Sequence, residues 1–169
     1  PLYDQNIVII PYAGVMANAA EGYHTGQGEP LGHSALVEHI TPEFAADAAR
    51  LIHSGAVYFF QVRAVGGAVA DVDPDATAYA NRSANFQIAV FGSRRRQLDT
   101  LWDDMREHFN GMYLSFETDR SVERLHDAFP PRTLSRLREL KARYDPDNVF
   151  RDNFNIAPQR TDTASALQE

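Results

Sequence analysis

Residues 56–65 read AVYFFQVRAV and residues 85–91 read NFQIAVF. Both runs are short and dense in β-branched and aromatic residues, the composition of strands that lie half-buried on a pleated surface. In the second, Phe86, Ile88 and Val90 fall on one face at a period of two. In the first, Gln61 and Arg63 share a face opposite Phe60 and Val62. Two polar side chains together on an otherwise apolar strand point to a ligand-facing surface, and an ordinary solvated face accounts for them as well. The first run ends at Gly66-Gly67, which predicts a tight turn and a hairpin into residues 68–72. Residues 112–116 predict a further short strand in the same sheet.

Helices flank these runs. Thr41, Pro42 and Glu43 supply a cap, a first-turn proline and an acid at the positive end of the dipole, Gly55 supplies the stop, and Phe44, Ala48, Leu51 and Ile52 line one face between them. From Ser93, Leu98, Leu101, Trp102, Met105 and Phe109 recur at helical spacing until Gly111. Arg94, Arg95 and Arg96 sit where that helix begins. They read either as a docking patch for an anionic group or as solvated residues ahead of a helix that starts nearer Gln97. Residues 121–128 and 131–144 predict two more helices, the second with a stripe of Leu134, Leu137 and Leu140 and a stop at Pro146. Before the sheet, residues 7–10 predict an extended segment, 12–20 a short helix and the glycine-rich 22–32 an exposed loop. Strands interleaved with helices over short connections predict an α+β fold, an antiparallel sheet covered on one side by helices.

The 169 residues suit one domain, and 44% apolar with 23% charged is ordinary for a folded protein. A net charge of -7 argues against binding a phosphate backbone, so nucleic acid is not an expected partner. The chain has no cysteine, hence no disulfide framework and no thiolate chemistry. No apolar run approaches membrane length, so the expectation is a soluble protein without a membrane partner, cytoplasmic if nothing precedes Pro1. Asp71, Asp73 and Asp75 imitate a calcium loop, but Ala76 and Arg82 occupy the positions that need glycine and glutamate. The six histidines show no metal-binding spacing, and no metal is expected.

The stretch RLRELKARYDPDNVFRDNFNI, ending at residue 156, resembles the C-terminal signature of the berberine-bridge-enzyme-like FAD-linked oxidases, in which a helix ends in a K-x-x-Y/F-D-P-x-N-x-F turn followed by N-x-x-I. Gly66-Gly67-Ala68-Val69 with Tyr79-Ala80-Asn81-Arg82 is similar to that family's glycine hairpin and F-P-H-R segment, and Tyr113-Leu114-Ser115-Phe116 to its Y-x-N-Y/F strand. The opening Pro1-Leu2-Tyr3-Asp4, with Pro11-Tyr12, looks like the middle of the family's substrate domain. The resemblance implies an incomplete ferredoxin-like substrate domain over residues 1–120, a C-terminal signature segment over 121–158 and a disordered tail over 159–169.

It also implies chemistry. The family oxidises alcohols or similar carbon centres by hydride transfer to FAD, which here needs an N-terminal FAD-binding domain or chain as partner, and a small-molecule substrate. A phenol takes the hydroxyl proton only if its pKa, about 10 when unperturbed, is lowered or its proton is relayed. By the resemblance Tyr113 is the catalytic candidate, Gln61, Arg63, Asn81 and Arg82 contact substrate, and Asn148, Asn153 and Asn155 lie near the flavin. Ser115 stands where the family has Asn, Asn81 where it has His, and the 56–65 strand lacks the carboxylate of some relatives. Tyr113 also reads as a packed sheet tyrosine and Asn148 as a turn residue after Pro146. Without its flavin domain the chain is expected to be inactive and to self-associate through an exposed apolar patch. A non-catalytic ligand-binding or interaction module is the rival reading, favoured by the departures at Asn81 and Ser115.

Overall fold

The computed structural model describes residues 31–159, with residues 9, 11 and 13 before them. Its elements are β1 (Leu31–Val37), α1 (Pro42–His53), β2 (Val57–Ala64), β3 (Phe86–Gly92), α2 (Arg95–Asp103), α3 (Val122–Ala128) and α4 (Pro131–Tyr144). The strands make an antiparallel sheet in the order β1-β3-β2. β3 is paired on both sides, and its Ile88, Ala89 and Val90 have no exposed surface.

α1 begins as its sequence dictates: the Thr41 hydroxyl accepts the Phe44 N–H at 3.2 Å, and Pro42 occupies a position that needs no donor. Phe44, Ala48 and Leu51 then pack with Leu98, Trp102 and Met105 against Ala35, Val37, Ile88 and Val90. One face of the sheet is thus closed by α1 and α2, an α+β arrangement. The register pairs Phe59 with Phe91, Gln61 with Ala89 and Arg63 with Gln87, so these six residues share the opposite face.

Three expectations are corrected. Residues 68–72 form no strand: Gly67 takes φ +66° and opens a 3-10 turn, Gly67–Val69, closed by the Ala70 N–H on the Gly67 carbonyl at 2.8 Å. Val69 and Val72 are exposed, so the segment has no apolar face to lay on the sheet. β2 instead returns to β3 through a long connection, which starts with the Val65 N–H on the Asn85 carbonyl at 2.9 Å.

Residues 112–116 are not a strand either. Gly111 makes one bridge to Leu36, after which the chain turns into a 3-10 helix, Leu114–Phe116. The edge of β1 is completed by other groups: Thr118 bonds both the N–H and the carbonyl of Gly32 at 3.0 Å, and the Glu117 carboxylate accepts the Ser34 N–H at 3.3 Å.

The third correction is β1 itself, which occupies residues read as the end of a loop and the unassigned stretch after it. α2 is also shorter than its periodicity suggested. It stops at Asp103, and Phe109 follows a separate 3-10 turn, Arg106–His108. Along α4 only Leu134 of the expected stripe is buried, while Leu140 is exposed. Apart from residues 9, 11 and 13, the segments expected before residue 31, and the tail from residue 160, lie outside the described residues.

Candidate functional site

The sheet face opposite α1 and α2, on which Leu36 and Ala89 are themselves buried, carries a row of aromatic rings with a guanidinium at each end. Arg63 of β2 lies 4.9 Å above the Phe116 ring, Phe116 meets Tyr113 at 6.1 Å, Tyr113 meets Tyr79 edge-on at 6.5 Å, and the Arg82 guanidinium sits 4.9 Å from the Tyr79 ring. Phe91 joins the row from β3 at 6.2 Å from Phe116, and Phe59 packs beyond it at 5.5 Å.

Tyr113 caps the N-terminal end of the Leu114–Phe116 turn and is 39% exposed. Burial pushes the Tyr79 phenol above its ordinary value, against the pull of the Arg82 charge and with a further push from Tyr113. Arg82 is held in place by the Val69 carbonyl at 3.2 Å and the Thr77 hydroxyl at 2.7 Å. Asn81 donates to the Ala128 carbonyl at 3.2 Å and lies against Gly111, where a Cβ would come within 2.7 Å of its amide. Only glycine at 111 lets Asn81 seat there, which ties the 79–82 segment to the start of the Tyr113 segment. Gln61 shares the face with Arg63, and its Oε1 is buried with no partner among the described residues.

The C-terminal signature is a separate knot. Asp145 pairs with Lys141 one turn back on α4 and accepts the N–H groups of Val149 at 2.7 Å and Phe150 at 3.0 Å; Lys141 also donates to the Phe150 carbonyl. Lys141 foremost, then these backbone donors, hold the Asp145 carboxyl below its usual range although burial acts the other way. Asn148 and Asn153 take φ of 52° and 57°, a left-handed backbone that Asn tolerates better than other side-chain-bearing residues. Asn148 therefore does act as a turn residue. Its Oδ1 and that of Asn155 are buried acceptors without partners among the described residues. Asn153 lines a cleft of about 450 Å³ with Asp152 and Phe154 on one side and Ser115, Glu117 and Arg120 on the other. That cleft is where the signature and the Tyr113 segment meet. The knot leaves Tyr144, Val149 and Phe150 strongly exposed, Phe150 at 81%.

The structure brings Arg63, Tyr113, Asn81 and Arg82 together, places Gln61 beside Arg63, and joins Asn153 to the same neighbourhood through the cleft. Asn148 and Asn155 belong to the knot. Phe116 and Glu117 were missed as site residues, because their importance comes from contacts across the sheet edge that no local pattern encodes. Gln87, 4% exposed on the site face with an Nε2 that has no partner among the described residues, was missed as well. A polar residue alternating with Ile88 on a central strand was its available signal. Among the described residues, Asp47, Glu107 and His108 bring ligand-type atoms within 4.8 Å. Asp47 spends its oxygens on Arg50 and His108, at 2.8 and 3.0 Å. No helix of the described residues is long and apolar enough to cross a membrane.

Comparison with known proteins addresses the same regions. Residues 123–157 match the family model "Berberine and berberine like". The uncharacterized FAD-linked oxidoreductase YvdP of Bacillus subtilis (strain 168) is 30% identical over 104 residues, covering 56% of this chain and 23% of that protein. FAD-linked oxidoreductase sorD of Penicillium rubens is 25% identical over 115 residues, covering 60% and 24%. Among solved structures, a chitooligosaccharide oxidase superposes with a TM-score of 0.66 at 20% identity, over 79% of this chain and 33% of its own. The chain thus spans about a quarter of the length of the curated relatives it matches. The C-terminal segment thus matches the berberine-like family model, the chain is similar over part of its length to FAD-linked oxidoreductases, and its fold is shared with a chitooligosaccharide oxidase.

Proposed function

We propose that residues 1–120 supply the substrate-facing sheet, and residues 121–158 the terminal segment, of an FAD-dependent oxidoreductase acting on an alcohol or similar carbon centre. The observation that carries this reading is the row Arg63, Phe116, Tyr113, Tyr79 and Arg82 on the sheet face opposite α1 and α2. Tyr113 receives the hydroxyl proton, and the two guanidinium groups place positive charge on either side of it. Gln61 and Arg63 hold the substrate from β2, while Asn81 and Arg82 hold it from the facing loop. FAD, when bound, supplies the hydride acceptor.

The residues present fit such a group. The unpartnered Oδ1 atoms of Asn148 and Asn155 are acceptors for N–H groups of the cofactor or of the domain that carries it, and Asn153 faces the cleft between them and the Tyr113 segment. The chain needs an FAD-binding domain or chain to turn over, because half a site holds no acceptor. Tyr144, Val149 and Phe150 form the surface that such a domain covers, and without it they drive self-association.

Purification of the full-length gene product tests the reading. It is expected to carry flavin absorbance that bleaches on anaerobic addition of a substrate found among simple alcohols and sugars. Tyr113→Phe is expected to slow that bleaching by about 10²- to 10⁴-fold at unchanged flavin content. A full-length product that neither contains nor takes up FAD overturns the proposal.

A further inference from the structure

His33 lies on β1 with both ring nitrogens engaged by carboxylates: Nδ1 is 3.0 Å from Glu117 Oε1 and Nε2 is 2.9 Å from Asp99 Oδ1. A neutral imidazole has one N–H and satisfies only one of these contacts; the other would set a lone pair against an acceptor oxygen. Glu117 meets His33 with both carboxylate oxygens already engaged by backbone donors. Its side chain has no exposed surface, Oε1 accepts the Thr118 and Asp119 N–H groups at 2.9 and 2.8 Å, and Oε2 accepts that of Ser34 at 3.3 Å.

We propose that His33 is kept as the imidazolium and that the Asp99–His33–Glu117 triad is a proton-dependent clasp, positioning the segment that carries Tyr113 and Phe116 against the edge of β1. Against β1 the segment is pinned at two points, Gly111 on Leu36 and Glu117–Thr118 on Gly32 and Ser34, with Tyr113 between them, and the Met112 N–H bonds the Asp127 carbonyl of α3 at 3.1 Å. Glu117 is the only one of these pins that depends on a titrating partner. When the proton leaves, the His33 ring can donate to only one of its two carboxylate partners, and one side of the clasp is lost.

Most of the other charges near His33 are already matched. From α2 and the turn after it, Arg106 is paired with Asp103 at 2.7 Å and with Asp127 at 3.5 Å. From α3, Arg124 is paired with Asp127 at 2.9 Å and lies 3.6 Å from Asp119. Arg95 stands exposed at the rim of the cavity of about 300 Å³ beside His33. Burial pushes His33 down, but the hydrogen bonds and charges of Glu117 and then Asp99 outweigh it and hold the imidazole above its ordinary value. The stabilisation is therefore fully present below about pH 6.5, the unfolded value, and is lost as pH rises through the higher folded value.

The clasp does not depend on the oxidoreductase reading and is measurable on this chain alone. Trp102, the sole tryptophan, stacks on the His33 ring at 5.6 Å and 15°. An imidazolium quenches a stacked indole, so tryptophan fluorescence reports the proton. Fluorescence is expected to rise with pH at a midpoint above about 6.5, and the transition is expected to vanish in His33→Gln. Hydrogen-exchange protection of amides 111–118 is expected to fall across the same transition, by up to about tenfold for each pH unit by which the midpoint exceeds the unfolded value. Should His33→Gln fail to fold, the ring-proton NMR titration of His33 in the unaltered chain gives the midpoint directly. A midpoint at or below the ordinary histidine value, a transition that survives in His33→Gln, or protection of 111–118 that does not follow it overturns the proposal.

Discussion

The two faces of the sheet are built to opposite rules. On the face under α1 and α2, Ala35, Ile88 and Val90 meet Leu51, Leu98 and Met105 with no exposed surface, and the polar residue His33 on that face has both ring nitrogens engaged. On the other face, Gln61 and Gln87 each keep a buried polar atom without a partner among the described residues, Arg63 is exposed, and the rings from Phe59 to Tyr79 stand in a row. Hydrocarbon packing gains free energy with every atom removed from water, whereas buried polar atoms lose it until something bonds them. The first face therefore holds the fold, and the second is the one we propose receives the substrate.

The largest effect that tests this contrast lies on the closed face. Leu98 has no exposed surface and packs between α2 and the sheet, so Leu98→Ala is expected to cost about 3 kcal/mol of unfolding free energy, measured by urea denaturation. A loss below about 1 kcal/mol would mean that this core is loosely packed and that the division between the faces is wrong.

The closed face was also the more legible one. The cap at Thr41, the stripe of α1 apart from Ile52, which is 46% exposed, and the alternation of β3 are local patterns that reappear in the structure. β1 escaped because LGHSALV mixes Gly, His and Ser into a strand whose burial comes from both sides. Its Gly32 and Ser34 are bonded by Thr118 and Glu117, more than eighty residues on. Residues 68–72 and 112–116 failed in the reverse sense: strand-like composition with no free ladder to join. On the site face, the residues named from family resemblance were gathered by the fold in large part, while Phe116, Glu117 and Gln87 depend on long-range contact and left no local trace.

A smaller effect separates the site face from the terminal knot. Asn148 needs φ of 52°, so Asn148→Val is expected to cost about 1 to 2 kcal/mol more than Asn148→Gly, since a β-branched side chain is strained there and glycine is not. Equal stabilities in thermal denaturation would show that the turn relaxes, and that the knot is not a rigid platform for the exposed Tyr144, Val149 and Phe150.

The smallest effect on stability is expected at Arg63, and it bears most directly on what the site face is for. Its guanidinium rests 4.9 Å above Phe116 on an exposed strand position, a contact worth about 0.5 to 1 kcal/mol. Arg63→Ala is therefore expected to shift urea denaturation far less than Leu98→Ala. In the full-length enzyme the same substitution is expected to raise KM for the substrate, because it removes a planar donor from the site. Arg63→Lys keeps the charge but neither the stacking plane nor the fork of donors, so it is expected to restore the fold's stability more fully than it restores substrate affinity. If Arg63→Ala instead destabilised the chain as much as Leu98→Ala, with no change in KM, the site face would be a second core and its row of rings a structural feature alone.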